Sequence, residues 1–317
     1  MKKCKFLIVA MMLITSAAVI VSCNRDKEPV SPSDGRVEVQ FSPNIILMSG
    51  LTKASGSTWD ASDAIGIYMF EENSTNVVES RENIEYVTEE GGKTGSFKAA
   101  NTIIYFPDNG NKVRFMAYYP YLGSVTTSGD VYPVDVTNQS SQNKIDLLYS
   151  FNEDAKYDKT TPDKKVPLVF DHQLTKVYVN IKAGEGLTDE ELQGIEITFD
   201  GLNTTAGFNL KDGSLNNPSN PADIDLLRIT AKEGYVASFE SIVIPSNEVP
   251  VATIVFDLKN GNTETGIAND VYTWVFNNAL SKSTQYTYNV TINRSGIVVE
   301  ATINDWLPTE DTEIDAE

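Results

Sequence analysis

One histidine and two cysteines among 317 residues leave this chain little side-chain chemistry to work with. His172 stands beside Asp171, a pairing that can orient a general base. No nucleophile accompanies the pair in sequence, and Leu174, Val177 and Val179 just after it read as a strand, so a structural or solvent-facing histidine is favoured. His-based zinc centres and His-bearing triads lack material, and two cysteines build neither a disulfide framework nor a Cys-rich metal site. The acid pairs Asp60/Asp63 and Asp223/Asp225 are of the type that binds calcium or cleaves glycosides. EF-hand spacing is absent, however, and 44 acidic residues produce such pairs by chance. Gly91-Gly92-Lys93-Thr94-Gly95 has the wrong spacing for a phosphate-binding loop and reads as a hairpin turn. Tyr105-Phe106 and Tyr118-Tyr119-Pro120-Tyr121 offer a sugar-stacking surface, although packed aromatics of a strand-rich protein explain them more simply. Trp59, Trp274 and Trp306 read as core or inter-strand plugs. The chain is therefore expected not to be an enzyme and to use no metal or cofactor. With 25 Lys and Arg against 44 Asp and Glu, its net charge of −19 also argues against a nucleic-acid partner.

The elements that position these residues begin with an address. Lys2, Lys3 and Lys5 precede an apolar run from Phe6 to Val21, too short and too poorly flanked for a membrane span, so residues 1–22 are expected to be a signal peptide. The ending Ile20-Val21-Ser22-Cys23 resembles a bacterial lipobox, which makes Cys23 the expected lipidation site and consumes the only thiol left after processing. Loss of the signal peptide leaves 22 basic against 44 acidic residues, a charge of −22. Residues 23–35, polar and carrying Pro29, Pro32 and Gly35, read as a flexible tether.

From residue 37 onward the pattern is period two, the period of half-buried strands. Val37, Val39 and Phe41 alternate with Glu38 and Gln40. The rows Val113/Phe115/Ala117/Tyr119, Val177/Val179/Ile181, Ile195/Ile197/Phe199, Tyr272/Trp274/Phe276, Tyr286/Tyr288/Val290/Ile292 and Val299/Ala301/Ile303 follow. Turn signals such as Asp108-Asn109-Gly110 and Lys211-Asp212-Gly213 separate them. One apolar and one polar face per strand implies antiparallel sandwiches. The one short helix expected starts near Thr188, with Glu191 at the reciprocal capping position. The charged, aperiodic stretch from Asn152 to Lys165 suggests a boundary, giving domains at 36–165 and 166–306 and an acidic tail at 307–317.

Several short motifs occur in a telling order: Lys53-Ala54 before Trp59, then Asp63-Ala64-Ile65-Gly66-Ile67-Tyr68, Phe115-Met116-Ala117-Tyr118-Tyr119-Pro120 and Asp146-Leu147-Leu148-Tyr149. Phe170-Asp171-His172-Gln173-Leu174-Thr175-Lys176, Ile244-Pro245, the row from Tyr286 to Ile292 and Ile303-Asn304-Asp305-Trp306 complete the set. Behind a lipobox, this order resembles the fimbrillin-like (Mfa-like) proteins of Bacteroides-type bacteria. The resemblance implies an all-β chain of two transthyretin-like antiparallel β-sandwich domains in tandem. It implies export as a lipoprotein to the cell outer membrane, surface exposure, and assembly into a fimbrium with other fimbrial subunits. It also implies that a trypsin-like protease removes the first strand, whose groove a neighbour's strand then fills. On this sequence the displaced strand falls in Val37–Met48, with Val37, Val39, Phe41, Ile45 and Ile46 as its apolar residues, and the cut falls after Lys53, or alternatively Arg36. The tail is a poor donor: among residues 307–317 only Leu307, Ile314 and Ala316 are apolar, and Pro308 interrupts any ladder. That leaves two options, in which the strand Ile297–Ile303 swings out or the chain is a tip or accessory subunit. A surface lipoprotein that binds a host glycan or protein without polymerising is the competing reading.

Overall fold

Alternating β-branched and aromatic residues fit a pleated, half-buried surface, and they build seventeen strands here. These come from a computed structural model that describes residues 35–45, 58–93, 95–125, 131–261 and 268–305. All the described strands belong to one unit beginning at Arg36. The all-β expectation holds.

The first sheet runs β1 (Gln40–Ile45), β8 (Lys165–His172), β7 (Leu148–Phe151), β5 (Val113–Tyr119), β2 (Ala64–Glu71), β3 (Ile84–Thr88), β4 (Phe97–Ala99). β8 changes partner along its length. Its end meets β7 through Leu148↔His172 and Tyr149↔Asp171 only, while Lys165 to Phe170 pair with β1 in parallel. This turn folds β1 back over the sheet. Phe41 of β1 consequently packs on Tyr86 of β3 and Phe115 of β5, neither of which is its hydrogen-bonded neighbour. Between the layers lies a core of Val39, Ile45, Trp59, Ile65, Ile67, Met69, Ala117, Val166, Leu168 and Phe170 with their neighbours.

The second sheet has the order β11 (Ser214–Asp225), β10 (Glu196–Asn209), β14 (Ala252–Asp257), β15 (Val271–Phe276), and β6 (Val131–Asp135) also pairs with β10. The third runs β12 (Leu227–Ile229), β13 (Ala237–Val243), β9 (Thr175–Ala183), β16 (Thr284–Asn293), β17 (Gly296–Asp305). Their inner faces meet through Ile197, Phe199, Ile254 and Phe256 from one side and Val177, Val179, Phe239, Tyr288 and Val290 from the other. Most of the rows expected to point inward do so, although Trp274 is half-buried and in the end-strand row Val299 is half-buried while Ala301 and Ile303 are exposed, Ile303 by 56%.

Four details depart from the sequence expectation. The pairs β1–β8 and β9–β16 are parallel, within sheets otherwise antiparallel. β5 is buried on both faces, because Met116 and Tyr118 join Tyr68 and Phe70 in the second core while Phe115 and Ala117 fill the first. Sheet membership does not follow chain order: β6 belongs to the second sheet and β8, which begins at Lys165, to the first. The charged stretch that suggested the division is a surface excursion, tied back by paired Val113–Tyr157 backbone hydrogen bonds of 2.8 and 2.9 Å. High charge marks solvation, which loops and linkers share. The fourth detail is a second four-residue helix, α1 (Gln142–Ile145), beside the expected α2 (Asp189–Leu192). At α2 the capping box forms: Thr188 N–H donates to Glu191 Oε2 at 2.9 Å, and Glu191 N–H to Thr188 Oγ1 at 3.4 Å.

Candidate functional site

The first strand and the groove beneath it form the most distinctive feature of the first sheet. The chain enters by exchanging backbone hydrogen bonds with residues 104–106, Val39 N–H to Ile104 O at 3.0 Å and Phe106 N–H to Val37 O at 2.9 Å. It then lies along β8 as the last strand of the sheet order, so from Gln40 to Ile45 it has a ladder on one side only. Alternation sends Val39, Phe41, Pro43 and Ile45 inward and leaves Gln40 and Asn44 exposed. Val39 and Ile45 are 1% and 3% exposed, and Val37 and Phe41 are half-buried. Pro43 lacks an N–H, which an end strand tolerates.

The floor of the groove is apolar and aromatic. The Phe41 ring meets Tyr86 edge-on at 5.2 Å and Phe115 at 5.1 Å, while Val166, Leu168 and Phe170 of β8 form one wall. The Tyr86 hydroxyl accepts the Ile104 N–H at 3.0 Å, and burial pushes its pKa up to about 12, so the floor carries no charge at ordinary pH. An apolar trough beside an edge of backbone N–H and C=O groups is what an added strand requires.

Trp59 is fixed by backbone and ring contacts. Its N–H donates to Gly92 O and its carbonyl accepts the Gly92 N–H, both at 2.9 Å. Its indole packs edge-on against Phe97, Tyr119 and Phe170 at 4.9, 5.5 and 5.2 Å. Trp59 is 1% exposed, a core plug as expected. Between Ile45 and Thr58 lie twelve residues whose only basic one is Lys53. Cys23, Ile46, Lys53 and everything from Trp306 on fall outside the described residues. Arg36 is exposed, with its guanidinium 4.2 Å above the Tyr105 ring. Of the aromatics that could form a sugar-stacking surface, Phe106, Tyr118 and Tyr119 are buried, and Tyr105 and Tyr121 are half-buried.

The remaining chemically suggestive residues are structural in their surroundings. His172 is buried, but its partner is Asp146, whose Oδ1 lies 2.9 Å from Nδ1, and not Asp171. Consecutive strand residues point to opposite faces, so adjacency in sequence separates them in space. Nearby, Lys176 Nζ donates to Glu240 Oε2 at 3.0 Å and Gln142 Oε1 at 2.8 Å, all three side chains being buried. Asp63 closes a turn by accepting the Asp60 N–H at 2.7 Å and the Tyr119 hydroxyl at 3.0 Å, and burial raises its pKa. Asp223 is likewise raised, by desolvation and then by the neighbouring Asp200 carboxylate. Among the described residues no three His, Cys, Asp or Glu side chains are arranged to hold a metal. Sequence reasoning missed Tyr86 and the pairing of Asp146 with His172; the Ile84/Tyr86/Thr88 alternation was a usable signal for the first, and the second had none.

A family model described as fimbrillin-like matches residues 52–306. The chain belongs to the fimbrillin-like family. The matched span begins after β1, leaving the first strand outside it. The chain is 33% identical over 303 residues to "Putative fimbrium subunit Fim1C" of Bacteroides uniformis, covering 93% of each. It is 32% identical to a "putative cell adhesion protein" of Bacteroides uniformis known from a crystal structure, with a TM-score of 0.69 over 87% of this chain and 100% of that one. A second "putative cell adhesion protein", from Bacteroides ovatus, shares the fold at 21% identity and a TM-score of 0.64, over 87% of this chain and 99% of that one.

Proposed function

We propose that this fimbrillin-like chain is a fimbrial subunit, held in the outer membrane through lipid on Cys23 and exposed at the cell surface. In this reading a trypsin-like protease cuts after Lys53, β1 leaves, and a strand from a neighbouring subunit takes its place. The observation that carries it is β1 itself, an end strand that seats Val39, Phe41 and Ile45 in an apolar trough yet pairs on one side only along Gln40–Ile45. The trough keeps its far boundary after a cut at Lys53, because Trp59 holds the chain downstream. A cut at Arg36 would free only residues before β1 and leave the groove filled. The acidic tail after Trp306 supports a tip or accessory position over a stalk position. The division of the chain into an N-terminal and a C-terminal sandwich, at the passage from β8 to β9, is part of the same proposal.

The test is N-terminal sequencing of surface material after limited trypsin treatment. Ala54 is the expected new start, and a chain that stays intact from Cys23 and monomeric refutes strand exchange for this protein. Cys23→Ala should release the protein from membranes; unchanged palmitate labelling of that variant would refute the lipid anchor.

A further inference from the structure

Which strand can replace β1 is set by the shape of the groove. Four inward positions at period two are occupied by Val39, Phe41, Pro43 and Ile45, and the second is special. Phe41 reaches across to the opposite layer, where its ring lies in T-shaped contact with Tyr86 and Phe115 at 5.2 and 5.1 Å. A shorter side chain at that position leaves both rings without their partner. Edge-to-face pairs add to the burial term of each ring, so this subsite discriminates more than its neighbours do.

A replacing strand must have a free end; with β1 gone the outer strands in chain order among the described residues are β2, buried on both faces, and β17, so β17 is the candidate within this chain. Its alternating apolar row is Ile297, Val299, Ala301 and Ile303, antiparallel to β16; Ile297 and Val299 pack on the second core, and Ala301 and Ile303 are exposed. Laid along the groove in the direction of β1, this row puts Val299 at the Phe41 position; laid in reverse, it puts Ala301 there. Neither side chain spans the distance to Tyr86 and Phe115. Beyond β17 the sequence to Glu317 contains one aromatic, Trp306, and the residues two away from it are Asn304 and Pro308. No stretch between Gly296 and Glu317 therefore sets an aromatic within a row of alternating apolar residues.

From this we infer that the Tyr86–Phe115 subsite is the specificity pocket of the groove. The strand it accepts carries an aromatic residue at its second inward position and comes from a different subunit, not from a second copy of this chain. The inference rests on the strand-exchange reading and deepens it, fixing the chemistry of the donor and making the contact heterotypic. It also ranks the four positions: the aromatic one decides, and the aliphatic ones add affinity to any extended apolar strand.

Labelled synthetic peptides test this without altering the chain, so its folding is never at stake. The mature chain is cut by limited trypsin treatment and passed through mild denaturant to release its own first strand. It is then returned to buffer with a peptide of residues 37–45, the same peptide with Phe41→Ala, or a peptide of residues 296–305. None of these sequences contains Lys or Arg, so residual trypsin leaves them whole. The 37–45 peptide should stay with the chain through gel filtration, and the Phe41→Ala peptide should bind roughly thirtyfold more weakly, as expected for loss of a half-buried ring. The 296–305 peptide should pass through unbound, and the cut chain alone should remain monomeric. Equal retention of the 296–305 and 37–45 peptides, an undiminished Phe41→Ala peptide, or a ladder of oligomers from the cut chain alone would each overturn the inference while leaving strand exchange standing. Retention of no peptide at all, residues 37–45 included, would remove the strand-exchange reading and the inference together.

Discussion

Trp59 allows a quantitative check on how firmly the chain is held downstream of the groove. The indole is 1% exposed, meets three aromatic rings and is anchored by two backbone hydrogen bonds that involve no side chain. Truncation to alanine removes the ring and leaves a cavity among Phe97, Tyr119 and Phe170; such core changes cost about 3–5 kcal/mol. Each edge-to-face contact adds about 0.5–1.5 kcal/mol to area burial, which places Trp59→Ala toward the top of that range. Phenylalanine is different. It keeps an aromatic edge for the same neighbours and gives up an indole N–H that finds no acceptor among the described protein atoms. A buried donor left unpaired carries a penalty of about 1–3 kcal/mol, and its removal offsets part of the lost volume. Trp59→Phe should therefore cost about 1–2 kcal/mol, less than half the alanine effect. Urea titration of the uncut chain, followed by circular dichroism, reads both values from the shift in midpoint at constant slope. Limited proteolysis adds a functional readout: Trp59→Ala should open new sites C-terminal to Thr58, whereas Trp59→Phe should preserve the wild-type digestion pattern. Equal losses in the two variants, or no loss in either, would refute the argument that this ring pins the chain.

Three further outcomes are expected. Lys176→Met leaves the buried Glu240 carboxylate without its cation and should cost about 3–5 kcal/mol; adding Glu240→Gln should recover most of it, and a double-mutant cycle with additive losses would contradict the pairing. Burial raises the Asp63 pKa, so that residue's contribution to stability is fully present below the unfolded carboxyl pKa and is lost as pH rises through the folded one. Wild type should accordingly gain stability relative to Asp63→Asn between pH 7 and pH 4, and a difference between the two that is flat with pH would count against it. Glu191→Ala removes one arm of the α2 capping box and a partner of Arg294, and should lower the midpoint of thermal unfolding slightly; an unchanged midpoint would contradict the cap's contribution.

Period-two alternation made the strands legible, and with them the inward rows Val37/Val39/Phe41 and Tyr286/Tyr288/Val290/Ile292. The α2 cap was legible too, because a capping box is local. Pairing was not. Alternation fixes which face a residue takes but not which strand lies beside it, so the parallel seat of β1 on β8, more than a hundred residues downstream, left no trace in the pattern. For the same reason His172 was read beside Asp171, when its partner Asp146 lies twenty-six residues away. The double-sided burial of β5 was hidden in plain view: Arg114, Met116 and Tyr118 interrupt the expected polar row, and Arg114 is buried with its guanidinium donating to the Glu71 and Ser74 carbonyls.

Burial of β2 and β5 on both faces makes them a party wall between two rooms. Emptying one room leaves Tyr68, Phe70, Met116 and Tyr118 held from the other side. The wall can lean into the vacated groove only by opening the second core, where dense packing makes each gap costly. Under the proposed strand exchange, an acceptor built this way would keep its width once β1 had left, so an incoming strand would meet a preformed slot and spend little of its binding energy reshaping it.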